Sequence, residues 1–165
     1  MVDPDRTETS DPSEPAQSGL ALWIVRSSWI GTACLAVTAT LAAVAPDPFA
    51  PLAVAVALSL FCIGVGAFVC AYAVAVGRSR SDAIGMGGLF FLAGSAPKSV
   101  QRSLIVSLLV EVIVAIATAS VWLVASSHFS QSTVNPLAFG LLAPMYGLGV
   151  MGLWGAKFGT FPVRG

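Results

Sequence analysis

The chain has 165 residues, 56% of them hydrophobic and only 10% charged, and its formal net charge is zero. A soluble domain carries about 25% charged residues, and one of this length cannot hide so much apolar surface in a core of its own. The mean hydropathy of +0.87 therefore excludes a water-soluble fold, and the long continuous apolar runs exclude a β-barrel, which would show short alternating segments.

Residues 1–19 are polar, with Pro4, Pro12 and Pro15, five acids (Asp3, Asp5, Glu8, Asp11, Glu14) and one base, Arg6. Such a segment buries almost nothing and is expected to be a disordered, solvated tail. It is acidic and long, unlike the start of a signal peptide, so the first apolar run is expected to stay as an anchor.

That run covers residues 20–45. Arg26, flanked by Trp23 and Trp29, marks a membrane interface, so residues 20–27 read as a lead-in at the headgroups and 28–45 as the span. Thr32, Ala36, Ala39 and Ala43 form a small-residue stripe suited to close helix contact. Pro46, Pro48 and Pro51 then separate two helices, with Pro51 acceptable in a first turn. The second span is expected at 51–76, with Ser59, Cys62, Gly66, Cys70 and Ala73 as its small face. Cys34, Cys62 and Cys70 all lie in apolar runs without metal-like spacing and read as small hydrophobes buried in lipid.

Residues 77–102 form the longest connection. It begins with Arg78, Arg80 and Asp82, turns apolar and glycine-rich over 83–94, and closes on Pro97, Lys98 and Arg102. The apolar part is too short to span. It is either interfacial, with Phe90 and Phe91 dipped into the acyl boundary, or re-entrant, as its glycines allow. Gly85, Gly87 and Gly88 lack the spacing of a phosphate-binding loop.

The third span, 104–125, contains one acid, Glu111. A polar connection follows with the only histidine, His128. The fourth span, 137–156, contains Pro144, where a kink is expected, and Gly140, Gly147, Gly149, Gly152 and Gly155, which invite packing against a neighbour or a second copy of the chain. Trp154 and Lys157 mark its interfacial end, and 159–165 is a short tail. The fold predicted is all-α: a polytopic membrane protein with four transmembrane helices in one bundle, occupying 20–158.

Four spans place all eight bases (Arg6, Arg26, Arg78, Arg80, Lys98, Arg102, Lys157 and Arg164) on one side. Three or five spans would divide them. The positive-inside rule then makes both termini cytoplasmic.

Glu111 is the main candidate site. An acid inside a span must be paired, neutral or turned to a polar interior. It lies roughly 10–12 Å from the expected cytoplasmic end of its helix, and Ser107, Ala115 and Thr118 share its face. Tyr146 is the leading expected partner, with Cys70 and Thr32 at similar depth and Arg26 as a possible ion-pair partner. Two readings stay open: a structural tie between helices, or a proton or cation site in a small transporter. No catalytic constellation, metal-ligand set or cofactor motif is present, and the few scattered bases give no support to nucleic-acid binding. The expected partners are the lipid bilayer, other membrane proteins, and the chain itself through the fourth-span glycines.

The stretches GLFFLAGSAPKSVQR (88–102) and AFGLLAPMYGLGVMGLWGAKFGTF (138–161), with the Ala/Val/Gly-rich and lysine-poor composition, resemble small uncharacterised membrane proteins of actinobacteria. The similarity covers about the second half of the chain. It implies a bacterial inner membrane and carries over no site residues. A small scaffold or accessory subunit is the function expected, with the Glu111 transporter as the alternative.

Overall fold

The computed structural model describes residues 19–126 and 136–163. The expectations for the acidic tail, for His128 and its loop, and for Arg164 lie outside them. The described chain is helical: α1 (Gly19–Val44), α2 (Pro46–Arg78), a short α3 (Met86–Phe90), α4 (Lys98–Ser126), a 3₁₀ segment (Pro136–Leu142) and α5 (Pro144–Phe158). Four segments are long and apolar enough to cross a membrane: Gly19–Val44, Asp47–Arg78, Lys98–Val121 and Ala138–Phe158.

The lead-in and the span run on as one helix, and α1 has 26 residues. No proline or glycine interrupts residues 20–30, and Ser27 folds its hydroxyl back onto the carbonyl of Ile24 at 2.8 Å. The turn to α2 is a single residue, Ala45, with φ −135° and ψ 80°. Pro46 sits in the first turn of α2, where its missing N–H costs nothing. The helix therefore begins five residues earlier than expected, and Pro51 lies inside it. Asp47 in that first turn complements the positive end of the helix dipole.

The face of α2 that packs inward also differs from expectation. Ser59, Cys62, Gly66, Cys70 and Ala73 are exposed on the outside of the bundle. The buried stripe is Ala53, Ala57, Leu60, Gly64, Ala71 and Ala75. Both faces are rich in small residues, so size alone does not choose between them. Gly64 chooses: it admits the backbone of α5, and a Cβ at Gly64 or at Gly149 would overlap the main chain of the other helix. Ser59 satisfies its own hydroxyl on the Ala55 carbonyl at 2.7 Å and so tolerates lipid.

The fourth span is broken rather than kinked. Pro144 offers no N–H to the preceding turn, and the chain changes from 3₁₀ to α winding around it. Ala143 N–H reaches the Gly140 carbonyl at 3.0 Å and Tyr146 N–H the Ala143 carbonyl at 2.8 Å. The fourth span is also the innermost of the four, with 50% of its membrane window buried against 33, 22 and 28% for the others. It packs chiefly on α2 and also touches α1, α3 and α4.

This arrangement engages four of the five fourth-span glycines within one chain. Gly147 faces Leu108 and Glu111, Gly149 the Gly64 carbonyl, Gly152 the Phe90 ring and Gly155 the Leu89 carbonyl. Gly140, in the 3₁₀ segment, is the fourth-span glycine with open space where a Cβ would stand.

The connection before α4 lies along the last turns of α5. Phe90 is buried and stacks on Phe68 with ring centroids 4.7 Å apart, while Phe91 is exposed. Phe90 is therefore a protein contact and not a lipid anchor. Leu92 adopts a positive φ of 55°. A left-handed leucine costs roughly 1–2 kcal/mol, and its fully buried side chain among Leu104, Met151 and Trp154 offsets that cost.

Candidate functional site

The inward stripe of α4 is Leu104, Ser107, Glu111, Ala115 and Thr118. Its spacing of three and four residues stacks these side chains on one face. Opposite it, α1 turns in Ser28, Thr32 and Leu35. The buried polar and charged side chains among the described residues are Ser28, Thr32, Ser95, Ser107, Glu111 and Thr118. Four of the six meet in one cluster.

Glu111 is fully buried. Its Oε1 lies 2.9 Å from the Thr32 hydroxyl. Its Oε2 accepts the backbone N–H of Gly147 at 3.2 Å. Thr32 also contacts the Ser107 hydroxyl at 2.7 Å and the carbonyl of Ser28, one turn before it, at 2.9 Å. Ser107 in turn contacts the Ser28 hydroxyl at 2.6 Å. The cluster ties α1 to α4 through hydroxyls and α4 to α5 through the carboxyl.

The contact with Gly147 follows from the break at Pro144. A helix leaves its first four N–H groups without intrahelical partners. In α5 the first of these positions is a proline, Tyr146 N–H turns back to Ala143, and Gly147 N–H is taken by Glu111. Water would normally satisfy such groups, but none reaches the bilayer core, and broken spans survive only where neighbouring protein supplies the partner. Glu111 is nine residues from Arg102, and Gly147 is ten from Lys157. At 1.5 Å per residue each lies about 14–15 Å along its helix from that base, well inside a segment long enough to cross a ~30 Å core. Glu111 thus supplies from a neighbouring helix the cap that Ala143 cannot. A negative charge beside a helix N-terminus is favoured by about 0.3–1 kcal/mol. An ionised side chain at mid-membrane costs about 2.5–3.5 kcal/mol on insertion scales. The only ion pair among the described residues, Arg78 with Asp82, is elsewhere.

The other sequence candidates divide. Tyr146 is buried next to the cluster, but its hydroxyl donates to the Ser27 carbonyl at 2.8 Å and not to Glu111. Thr118 bonds only within its own helix, to Val114 and Ala115. Arg26 is exposed and does not turn into the bundle. Trp23 and Trp29 are 66% and 41% exposed, and Lys157 is exposed, as side chains at a membrane surface would be. Trp29 also donates from Nε1 to the Ser103 hydroxyl at 3.0 Å. Trp154 corrects the expectation: it is 1% exposed, in the core beside Phe158. The glycines around it bring α2 and α3 close, which leaves its ring nowhere to go but inward.

Two parts of the arrangement escaped the sequence. Ser28 and Thr32 repeat at i and i+4, as do Ser107 and Glu111, and this matched spacing is the signal that pairs α1 with α4. Arg78 counted only as a positive charge, yet it closes the other end of α5. Its guanidinium donates to the carbonyls of Ala156 at 2.8 Å and Gly159 at 3.2 Å, pairs with Asp82 at 2.9 Å, and lies 5.5 Å from the Phe161 ring centroid. Residues 159–163 are held there as well, with Thr160 N–H on the Ser95 carbonyl and Ala83 N–H on the Pro162 carbonyl.

A groove of about 140 Å³ opens beside the end of α2, lined by Tyr72, Val76, Ile84, Met86 and Leu89 among others, and shares no residue with the Glu111 cluster. Among the described residues, no three His, Cys, Asp or Glu side chains come together to hold a metal ion. No protein-family model, curated protein or solved structure matches the chain.

Proposed function

We propose that this chain is a small integral-membrane scaffold or accessory subunit that works by binding other membrane proteins. The observation that carries the reading is the closure of its one intramembrane acid. Glu111 is fully buried, and each of its oxygens is engaged by a neighbouring helix. A site that loads and unloads a solute needs a vacant coordination position and a path to it; this carboxyl is instead occupied in holding three helices together. The outward faces of α1, α2 and α4 are broad and apolar, with Val37, Ile63, Val69, Leu109 and Ile113 exposed, as contact with lipid or partner helices requires.

The reading extends to placement. The bases favour cytoplasmic termini through the positive-inside rule. The resemblance of the second half to actinobacterial membrane proteins favours a bacterial inner membrane. Reporter fusions after residue 130 and after residue 165 should report opposite sides.

Crosslinking in native membranes followed by affinity purification tests the function. It should recover one reproducible membrane-protein partner in near-stoichiometric amount. Repeated absence of such a partner would overturn the reading. So would proton-driven solute flux in proteoliposomes that the wild-type chain supports and Glu111→Gln abolishes, because that outcome makes Glu111 a transport site.

A further inference from the structure

The Glu111 cluster contains more hydrogen-bond contacts than its hydroxyls have hydrogens. Four oxygen–oxygen contacts are closed: Ser28 with Ser107, Ser107 with Thr32, Thr32 with the Ser28 carbonyl, and Thr32 with Glu111 Oε1. Each needs one hydrogen if it is a two-centre bond. The hydroxyls of Ser28, Ser107 and Thr32 supply three. The Ser28 carbonyl can only accept, so a Thr32 hydrogen directed fully to it leaves none for Glu111.

We infer that Glu111 carries the fourth hydrogen, so that the junction of α1, α4 and α5 is a binding site for one proton. Every contact is then satisfied at once. Glu111 donates from Oε1 to Thr32, Thr32 donates to the Ser28 carbonyl, Ser107 donates to Thr32, and Ser28 donates to Ser107. Oε2 becomes the carbonyl oxygen of a neutral acid and accepts the Gly147 N–H. Without the proton, Thr32 must choose between the Ser28 carbonyl and Glu111, and one contact is lost.

The surroundings fit a neutral group. From α5 the titratable neighbour is Tyr146, whose hydroxyl is committed to Ser27. The α1 cysteine on that side, Cys34, is exposed. Nearby, α2 contributes the backbone of Gly64 against Met145 and Tyr146. No Lys, Arg or second acid is among the buried side chains described, so nothing there balances a carboxylate. The inference uses the same Glu111 contacts as the scaffold reading, and stands or falls separately from it.

Infrared spectroscopy of the full chain in lipid nanodiscs tests it. The chain has three glutamates, Glu8, Glu14 and Glu111, so Glu8→Gln/Glu14→Gln protein grown with ¹³C-glutamate reports Glu111 alone. A carboxylic-acid C=O band at neutral pH, moved by the label, absent from Glu111→Gln and displaced in frequency by Thr32→Val, is the expected result. A folded Glu8→Gln/Glu14→Gln bundle in which the label moves only carboxylate bands would overturn the inference. That reading needs no Glu111 variant, so it stands even where Glu111→Gln fails to assemble.

Discussion

Arg78 at the end of α2 donates from Nη1 to the carbonyl of Ala156 at 2.8 Å, and so closes the C-terminal end of α5 from a neighbouring helix. Glu111 does the same for the other end through Gly147. The innermost helix is thus secured at both termini by side chains it does not own. This explains how a helix of 15 residues, preceded by a break, keeps its position inside a bundle of longer ones.

Arg78→Gln should destabilise the chain more than Asp82→Asn. The ion pair is partly exposed, with side chains 33% and 19% accessible, and a pair of that kind is worth about 0–1 kcal/mol. The bonds to Ala156 and Gly159 are charge-assisted and close a helix end, so their loss adds about 1 kcal/mol. Thermal unfolding in detergent, followed by tryptophan fluorescence, should rank the two variants in that order. Equal midpoints would show that the carbonyl contacts contribute nothing.

Thr32→Val and Thr118→Val remove the same hydroxyl from two buried positions with opposite expectations. Thr32 touches Ser28, Ser107 and Glu111, and its loss leaves buried partners unsatisfied at about 1–3 kcal/mol. Thr118 bonds only the carbonyls of its own helix, whose helical bonds remain, so its replacement should change stability by less than about 0.5 kcal/mol. Unfolding midpoints of the two variants decide the point; a larger loss for Thr118→Val would mean that the cluster is centred elsewhere.

The contrast between these two threonines marks what the sequence could and could not reveal. Hydropathy made the membrane-length helices legible, because span length is dictated by the bilayer. The i, i+3 and i, i+4 rule put Ser107, Glu111 and Thr118 on one face. It could not say which neighbour that face would meet. Tyr146 looked the better partner because its depth matched, but its hydroxyl reaches the Ser27 carbonyl, and Glu111 takes a backbone N–H instead. A backbone donor has no residue-type signature. The inner face of α2 was hidden for a related reason: two small-residue stripes compete there, and Gly64 matters only because α5 arrives with Gly149 at the same level.

Gly149→Ala should therefore be disruptive although alanine is the better helix former. The added methyl meets the Gly64 main chain, which cannot turn aside as a side chain could. The helices must separate, at about 1–3 kcal/mol or more. Gly66→Ala, two residues from Gly64, has open space around it and should be neutral or stabilising by up to about 1 kcal/mol. Heating both variants in the same detergent gives the comparison. A Gly149→Ala chain as stable as Gly66→Ala would contradict the close α2–α5 crossing.

Trp154 offers a test in which a substitution removes a polar group that nothing uses. Its Nε1 is buried and has no hydrogen-bond partner among the described residues. An unsatisfied buried donor costs about 1–3 kcal/mol, so the indole carries a penalty together with its packing. Trp154→Phe deletes that donor and some ring volume, and the two effects oppose each other. Its midpoint should stay within about 1 kcal/mol of wild type. Trp154→Ala keeps neither the donor nor the volume and should cost about 3–5 kcal/mol, because the ring fills the space between Leu92, Met151 and Phe158. A tryptophan anchored at the lipid surface would behave differently, since alanine there would open no cavity in the core. If Trp154→Ala unfolds at the same temperature as Trp154→Phe, the buried placement of the ring is wrong.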